Sequence, residues 1–269
     1  MPSANTGKNV IKAIRVYKDH VTLSFAKKQS MKISKEAYLS LYLYVGKALS
    51  KNEIANLNEL TALSTLLNYA LSLISKRHYS VNQMSDKLYK KEANRNAVNG
   101  VIDRLKANDL LNDSAFMEDL INWDNERGFG KNKIVKHLKD QGIPDNLIAK
   151  ARFSPSNELK KAKGLIPKLD KKYAKYAYQN KKKHVYQALL GQGFDYETAK
   201  EASELVKSDS NSKEKEKLEK DYLKIKERYK KKYEGYTLKQ KIYSALLNKG
   251  YKSSQIKKVL EEDSYENDF

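Results

Sequence analysis

The sequence predicts a mainly α-helical protein of tandem three-helix repeats, preceded by a small N-terminal segment that contains a β-hairpin. Two observations support this fold class. Similar glycine joints recur in KHLKDQGIPDNLI (136–148), QALLGQGFDYETA (187–199) and SALLNKGYKSSQI (244–256). Residues 21–26 alternate between apolar and small or polar side chains, which predicts a strand near the N-terminus. Because the glycines lie 51 and 57 residues apart, the period is that of a helical array whose repeats bury their apolar faces against neighbours.

Each glycine joint reads as the end of one helix and the start of the next. A helix commonly ends with a left-handed glycine, and the apolar residue after it folds back onto the last turn. The predicted pairs are Gly142 with Ile143, Gly193 with Phe194, and Gly250 with Tyr251. The residues expected to cap the following helices are Asp145, Asp195 and Ser253.

Residues 1–60 form the predicted N-terminal segment. Residues 10–17 and 21–25 read as the two strands of a hairpin with a turn at 18–20, and a third short strand is expected near 31–33. A helix capped by Ser34 should then run to about Gly46, with an apolar face of Tyr38, Leu41, Tyr42 and Val45. Ser50 and Glu53 have capping-box spacing and predict another short helix.

The first repeat is expected over residues 61–113. An apolar stripe formed by Leu63, Leu67, Ala70 and Ile74 predicts its first helix. Ser80 and Gln83 form a second capping box, and Ala97, Val98, Val101, Ile102 and Leu105 mark the third helix. Leu110 and Leu111 should tuck inward, and Asp113 should cap the next helix. In this repeat Glu92 replaces the joint glycine, and Gly100 falls inside a predicted helix.

Three further repeats are predicted at residues 114–155, 156–208 and 209–269, the last with a short acidic tail. Pro155 suits the first position of a helix that follows Ser154. The stripes of the last two repeats comprise Ala162, Ile166, Leu169, Tyr173 and Tyr176, then Leu218, Tyr222, Ile225, Tyr229 and Tyr233. The residues SDSNS (208–212) read as a linker between them.

The composition of the chain limits the classes of protein to which it can belong. The formal charge of +20 indicates a polyanionic partner. Net charge is +6 for residues 1–60, +3 for the first repeat, +1 for the second, +6 for the third and +4 for the fourth. The chain has no cysteine, which excludes disulfides and cysteine-ligated metals. Apolar stretches are too short to span a membrane and no signal peptide is apparent, so we expect a cytoplasmic protein without membrane contact.

No pattern indicates catalysis, a cofactor or a metal site. The four histidines lie far apart in sequence, and nucleophile motifs are missing. The residues GFGK (128–131) resemble part of a phosphate loop but lack its first glycine, so we interpret them as a helix connection. We therefore expect no enzyme.

Lysine and tyrosine alternate in DKKYAKYAYQNKKK (170–183) and ERYKKKYEGY (227–236). Such mixtures hold single-stranded nucleic acid, because cations track phosphates and rings stack on bases. The same tyrosines also occupy the apolar stripes, and we favour their burial. The lysine triplets 181–183 and 230–232 are interpreted as contacts for an acidic partner.

The order of several motifs resembles that of the RecX family. These motifs are ALSLISKRHYSVNQMSDKL, VIDRLKANDLLND, Phe116, RGFGKNKI and LKDQGIPDNLI, which span about residues 69–151. The later repeats and the β-containing start resemble the long, Gram-positive type of RecX. The resemblance implies a curved array of three-helix repeats that lies in the groove of the RecA–DNA filament, inhibits RecA and also binds DNA. It implies no catalytic residue. Glu92 departs from the family's usual glycine.

The predicted RecA-binding or DNA-binding residues are cations near the joints and in the basic repeats. They are Arg77, Lys90, Lys91, Arg95, Arg104, Arg127, Lys131, Lys133, Lys181, Lys182, Lys183, Lys230, Lys231 and Lys232. Arg77 and Arg127 occupy equivalent repeat positions, so ion pairs with Asp86 or Glu126 are an equal alternative for them. The near-neutral middle repeats are expected to contact protein, and the basic ends to contact DNA.

Two functions follow from these expectations. The first is a monomeric RecA modulator that binds the RecA filament and single-stranded or double-stranded DNA, and so affects recombination, DNA repair and the SOS response. The alternative is a non-catalytic DNA-binding protein or helix-turn-helix transcription regulator. A base-reading helix would offer Arg, Asn or Gln to the major groove, whereas the exposed positions here are mostly lysine.

Overall fold

A computed structural model describes residues 9–91 and 94–266, and the side chains of this range up to residue 262. The described residues form a three-stranded sheet and thirteen α-helices, which confirms the mainly α fold with a small N-terminal sheet. The chain divides into two compact units, Met1–Asp119 with Lys139–Leu147, and Leu120–Leu138 with Ile148–Phe269. The boundaries of the four repeats stay a prediction. Glu92 lies outside the described residues.

The elements follow one another in this order: β1 (Ala13–Val16), β2 (Val21–Ser24), β3 (Ser30–Ile33), α1 (Lys35–Ser40), α2 (Lys51–Ile74), α3 (Val81–Tyr89), α4 (Arg95–Ala107), α5 (Asp113–Glu126), α6 (Lys131–Asp140), α7 (Asp145–Ile148), α8 (Pro155–Lys172), α9 (Tyr178–Gly191), α10 (Tyr196–Ser203), α11 (Asn211–Tyr229), α12 (Gly235–Asn248) and α13 (Ser253–Glu266).

The N-terminal sheet is an antiparallel meander in the order β1, β2, β3. The predicted hairpin and third strand are therefore confirmed. Leu23 pairs with Ile14 on one side and Met31 on the other, and Val21 pairs with Val16 and Ile33. Because side chains alternate along a strand, these two rows share one face, and Val21, Leu23 and Ile33 are buried in a core with Leu57 of α2.

Two predicted helices of the N-terminal segment differ from the structure. The helix capped by Ser34 ends at Ser40 and not near Gly46, and Tyr42 takes a positive φ of 44° and is exposed. The helix that begins after Ser50 is not short. It is the 24-residue α2, which also supplies the first helix of the first repeat. No glycine or proline interrupts residues 51–74, so nothing in the sequence stops the helix.

Three of the helix sets each have their own apolar core. Helices α2, α3 and α4 bury Ala97, Val98, Val101, Ile102 and Leu105 as predicted. Helices α8, α9 and α10 bury Ala162 and Ile166, and α11, α12 and α13 bury Leu218, Tyr222 and Ile225. The tyrosines at the ends of these stripes, Tyr173, Tyr176, Tyr229 and Tyr233, are only half-buried.

The three glycine joints have the predicted geometry. The φ angles of Gly142, Gly193 and Gly250 are +78°, +92° and +89°. The apolar residue after each glycine is buried. The amide of Phe194 donates to the carbonyl of Leu189 at 3.2 Å, and the amide of Tyr251 donates to that of Leu246 at 3.3 Å. These bonds close the helix ends in the way that a left-handed glycine permits.

The predicted caps are less accurate than the joints. The Asp195 carboxylate accepts from the Thr198 amide at 2.8 Å, and this bond holds its pKa below the usual value. Asp145 instead forms an ion pair with Lys139 at 2.9 Å. The hydroxyl of Ser253 lies 2.7 Å from that of Tyr243, and Ser253 is already inside α13.

The end of the first repeat also differs from the expectation. Leu111 is buried but Leu110 is exposed. Asn112, and not Asp113, caps α5, because its side-chain oxygen accepts from the amides of Ser114 and Ala115 at 3.0 and 3.1 Å. Ser80 accepts from the Gln83 amide at 3.1 Å, but the Gln83 side chain bonds to Gln141 and does not complete a capping box.

A carboxylate from the first helix of one repeat caps the middle helix of the repeat before it. Asp113 accepts from the Val81 amide at 2.8 Å, Glu158 from the Lys131 amide at 2.8 Å, and Glu214 from the Tyr178 amide at 3.0 Å. Each bond satisfies an amide at the positive end of a helix. The same arrangement therefore recurs three times along the chain.

The glycine joints contact the same helix starts. A Cβ added to Gly142 would meet the side chain of Asn82, and one added to Gly193 would lie 2.4 Å from the Lys133 amide nitrogen. A Cβ on Gly250 would lie 2.8 Å from the Asn180 amide nitrogen. Each joint therefore ends a helix and also leaves room for the close approach of the preceding repeat.

Candidate binding surface

Four equivalent aromatic residues mark a recurring surface. Tyr79, Phe129, Tyr176 and Tyr233 each lie two residues before the first residue of a middle helix, which is α3, α6, α9 or α12. All four rings are half-buried, so each packs against its repeat and keeps one part in solvent. A cation lies over every one of them. The cation–ring pairs are Arg77 with Tyr79, Arg127 and Lys133 with Phe129, Lys175 with Tyr176, and Lys241 with Tyr233.

The two equivalent arginines, Arg77 and Arg127, stack on these rings. The guanidinium carbon of Arg77 lies 4.0 Å from the ring centre of Tyr79. That of Arg127 lies 4.3 Å from the Trp123 ring centre and 4.6 Å from that of Phe129. Both arginines thus stack on aromatic faces, and Arg127 also forms an ion pair with an acidic neighbour, Asp124, at 3.9 Å. A guanidinium that is stacked in this way still directs its N–H groups to solvent or to a partner.

A buried acid supports the second of these arginines. Asp124 has an exposed fraction of 0% and lies 2.7 Å from Nδ1 of His137 and 3.9 Å from the Arg127 guanidinium. The neighbouring Trp123 is 51% exposed and tilts over His137, with ring centres 6.4 Å apart. Trp123, Arg127, Phe129 and Lys133 therefore form an ordered, partly apolar patch. The residues predicted from the sequence do not include Trp123, although an exposed tryptophan is a common feature of protein interfaces.

The cations between α3 and α4 are accessible. Lys90, Lys91 and Arg95 are exposed, and the Lys91 ammonium lies 5.3 Å from the Tyr69 ring centre. Arg104 is also exposed but is engaged by Glu36 at 3.1 Å. In the second repeat, Lys131 is exposed at the start of α6, and the Lys133 ammonium lies 3.8 Å from the ring centre of Phe129. These positions remain candidates for contact.

Lys181 contradicts its predicted role. Its side chain is buried, with 1% of the residue exposed, and its ammonium lies 3.0 Å from Asp170 and 3.8 Å from Asp209. It cannot reach a partner, because α9 turns it into the third repeat. Lys182 is paired with Glu204, and Lys183 is exposed. The first lysine triplet thus offers one open cation.

The second triplet is more open. It follows the end of α11, and Lys230, Lys231 and Lys232 are all exposed. Lys230 is nevertheless bound to Glu227, and the hydrogen bond from its ammonium lowers the pKa of that carboxyl. Cations at this end of a helix also complement the negative end of its dipole.

The glycine turn GFGK serves as a helix connection, as interpreted. The Gly130 amide donates to the carbonyl of Gln192 at 2.9 Å, and a Cβ on Gly130 would lie 2.4 Å from the backbone of Gly193. Its amide is therefore used within the protein and is not available for phosphate. Across residues 9–91 and 94–266, no group of three or more His, Asp or Glu side chains is arranged to hold a metal ion. No helix in this range is long and apolar enough to cross a membrane.

Comparison with known proteins relates this architecture to one family. A model of the RecX family, described as the first three-helix domain, matches residues 67–105, which cover the end of α2 together with α3 and α4. The regulatory protein RecX of Streptococcus pyogenes serotype M3 is 29% identical over 237 residues, with 84% of this chain and 89% of the relative covered. The chain is therefore similar to RecX proteins over most of its length. The RecX of Streptococcus uberis is 27% identical, with 87% and 91% covered.

Solved RecX structures share the fold. A crystal structure of regulatory protein RecX superposes with a TM-score of 0.64 at 19% identity, and covers 72% of this chain and 99% of that one. The RecX of Lactobacillus salivarius gives a TM-score of 0.51 at 25% identity, with 54% and 96% covered. The RecX family is one of regulatory proteins, as the names of these relatives state.

Proposed function

We propose that this protein modulates the RecA recombinase by binding the filament that RecA forms on DNA, and that the effect is inhibition. Recombination, DNA repair and the SOS response would then be affected together. The observation that carries the proposal is the recurrence of one cation–aromatic arrangement in all four repeats. A repeating set of similar sites suits a partner that is itself a repeating polymer.

Several weak sites can give tight binding when they act together. A single exposed cation–aromatic pair contributes on the order of 0.5–1 kcal/mol. Linked sites that engage one polymer at the same time raise the overall affinity far above that of each site. The patch of Trp123, Arg127, Phe129 and Lys133 is the strongest candidate for a protein contact, because it combines an exposed indole with two cations.

The charge distribution supports a division of labour between repeats. The first and second repeats carry net charges of only +3 and +1, and the third and fourth carry +6 and +4. We therefore assign protein contacts to the middle of the chain and salt-sensitive DNA contacts to its basic parts. Burial of Lys181 moves the expected DNA contact of the third repeat from the whole triplet to Lys183, with Lys182 held by Glu204.

The test is a titration of RecA filaments on single-stranded DNA. Adding the wild-type protein should lower RecA ATP hydrolysis and strand exchange, and electron microscopy should show the protein on the filaments. Replacing Arg127 and Lys133 by Ala should raise the amount needed for half-inhibition roughly tenfold, for a loss of about 1.4 kcal/mol. The matched control is Lys136→Ala with Lys139→Ala, which removes two exposed cations from the same helix, α6. Unchanged RecA activity at saturating protein, without filament binding, would refute the proposal.

A second candidate is a protein that acts on DNA directly, as a general binder or a helix-turn-helix regulator. The exposed lysines of the second triplet favour general binding. Binding that weakens steeply with salt and ignores base sequence would support a general binder, whereas sequence-preferring binding would support a regulator. We further propose a monomer located in the cytoplasm and without catalytic activity. Light scattering across a concentration series tests the monomeric state.

A further inference from the structure

The outer face of the N-terminal sheet carries cations and small side chains. Its two cross-strand rows are Arg15, Thr22 and Lys32, and then Ala13, Ser24 and Ser30. These residues alternate with the buried rows of Val21 and Leu23, so their side chains lie on the opposite face. Arg15, Ser30 and Lys32 are exposed. The face therefore presents two cations and several hydroxyl groups without a large apolar side chain.

A cleft adjoins this face and shares one lysine with it. The cleft has a volume of about 610 Å³, which is within the range of ligand sites, and Lys32 is part of its wall. The tip of the hairpin, the start of α1 and one side of α2 complete the wall. Its other polar residues include Lys18, Lys35, Thr61, Thr65 and Asn68. Three lysines from three different segments thus line the same cleft.

Two acids, Asp19 and Glu36, also line the cleft, and both are engaged. Asp19 is hydrogen-bonded to His20 at 2.8 Å, and Glu36 is paired with Arg104 at 3.1 Å. The hydrogen bond from His20 also holds the pKa of Asp19 low. Residues 1–60 carry ten basic and four acidic side chains. Four of these basic side chains, Arg15, Lys18, Lys32 and Lys35, lie on the sheet face or line the cleft.

We infer that the outer face of the N-terminal sheet and the adjoining cleft bind the phosphate backbone of single-stranded nucleic acid. Phosphate is held by cations, hydroxyls and amides, and needs no apolar anchor. An acidic protein partner would instead require apolar or aromatic residues at the centre of the face. At the hairpin tip, Tyr17 is exposed and stacks on His20 with ring centres 4.7 Å apart, which offers a ring face for an unpaired base.

The inference adds a site to the proposed function and rests on its DNA-binding part, but bare DNA tests it without RecA. The probe is fluorescein-labelled oligothymidine, measured by anisotropy between about 50 and 200 mM salt. Replacing Arg15 and Lys32 by Gln should weaken binding roughly tenfold. It should also lower the slope of log K against log salt by about 1.4, because each lost phosphate contact on a single strand removes about 0.7.

The matched control is Lys51→Gln with Lys87→Gln, which removes two exposed lysines from helices of the same unit. Circular dichroism should show both double variants folded. Unchanged affinity and slope in the Arg15 and Lys32 variant would overturn the site, as would an equal loss in the control. A loss confined to duplex DNA would overturn the assignment to single strands. RecA inhibition that persists while the site fails would leave the proposed function standing.

Discussion

The two lysine triplets have the same sequence but differ in their exposure to solvent. Residues 181–183 lie in the first turns of α9, where Lys181 points inward between Asp170 and Asp209. Residues 230–232 follow α11, and all three are exposed. Position relative to the helix, and not local composition, therefore decides whether a lysine holds the repeat together or is available to a partner.

The largest expected effect is a loss of stability when the buried Lys181 is replaced. Lys181→Met keeps the length of the side chain but leaves two carboxylates without their shared cation. We expect a loss of about 3 kcal/mol in the free energy of unfolding, as when one partner of a buried pair is removed. This corresponds to a fall in Tm of roughly 6–12 °C, measured by calorimetry. Lys231→Met should leave Tm within about 1 °C, because it is exposed. Equal Tm values would contradict the assignment.

The contrast between the third and fourth repeats extends to their joints. A Cβ at residue 193 would meet the backbone of Lys133 at 2.4 Å, whereas one at residue 250 would meet that of Asn180 at 2.8 Å. Gly193→Ala should cost about 2–3 kcal/mol, and Gly250→Ala somewhat less. Gly46→Ala is the control, because Gly46 has a φ of +98° with open space around it. It should cost only the backbone strain, about 1–2 kcal/mol, and urea unfolding measures all three variants. A Gly46 loss as large as that at Gly193 would argue against close packing at the joint.

Binding provides the next test of the triplets. Lys231→Glu with Lys232→Glu should weaken binding to single-stranded DNA roughly tenfold at low salt. Lys182→Glu with Lys183→Glu, which makes the same change in charge, should weaken it only about threefold, because Lys182 is held by Glu204. Anisotropy with one labelled oligonucleotide measures both variants. A larger loss of affinity in the Lys182 and Lys183 variant than in the Lys231 and Lys232 variant would contradict this assignment of accessible charge.

The smallest effect concerns the residues after the joint glycines. Phe194 in the third repeat corresponds to Tyr251 in the fourth. Burial, together with the hydrogen bond that its hydroxyl donates to Asp221 at 2.9 Å, raises the pKa of Tyr251. Since the folded state favours the neutral phenol, this stabilisation is complete below about pH 10 and is lost as the pH rises above it.

Tyr251→Phe should cost about 1 kcal/mol at neutral pH and make stability less sensitive to alkali than in the wild type. Urea unfolding at pH values from about 8 to 11 measures the difference. The comparison variant is Phe194→Tyr, which places the same hydroxyl at the equivalent joint of the third repeat. If the free energy of unfolding fell equally with rising pH in wild type and Tyr251→Phe, the coupling between Tyr251 ionisation and stability would be refuted.

Regular patterns in the sequence are enough to predict most of the helices, the strands and the joints. The glycines at 142, 193 and 250 mark helix ends because few other residues adopt a positive φ without strain. The buried face of α4 follows from its helical spacing. The order of short motifs also indicates the RecX family, since each motif is a local feature of the chain.

Side-chain partners are predicted less well because they depend on what another repeat places nearby. Asp113 has the residue type and the position of a cap for the helix that it begins. Its carboxylate instead caps α3, by accepting from the amide of Val81, which lies 32 residues earlier. Arg77 and Arg127 stack on rings, and the geometry of those rings comes from the packed repeat.

The sequence by itself determined a nearly regular series of helical repeats, a basic chain and a similarity to RecX proteins. These properties reside in local periodicity, in backbone conformation and in composition. Tertiary structure decided which cations are accessible. Lys181 and Lys183 are two residues apart, but one lies against two carboxylates in the third repeat and the other faces solvent. A helix turns residues two apart to different sides, and only the packing around it determines which side is buried.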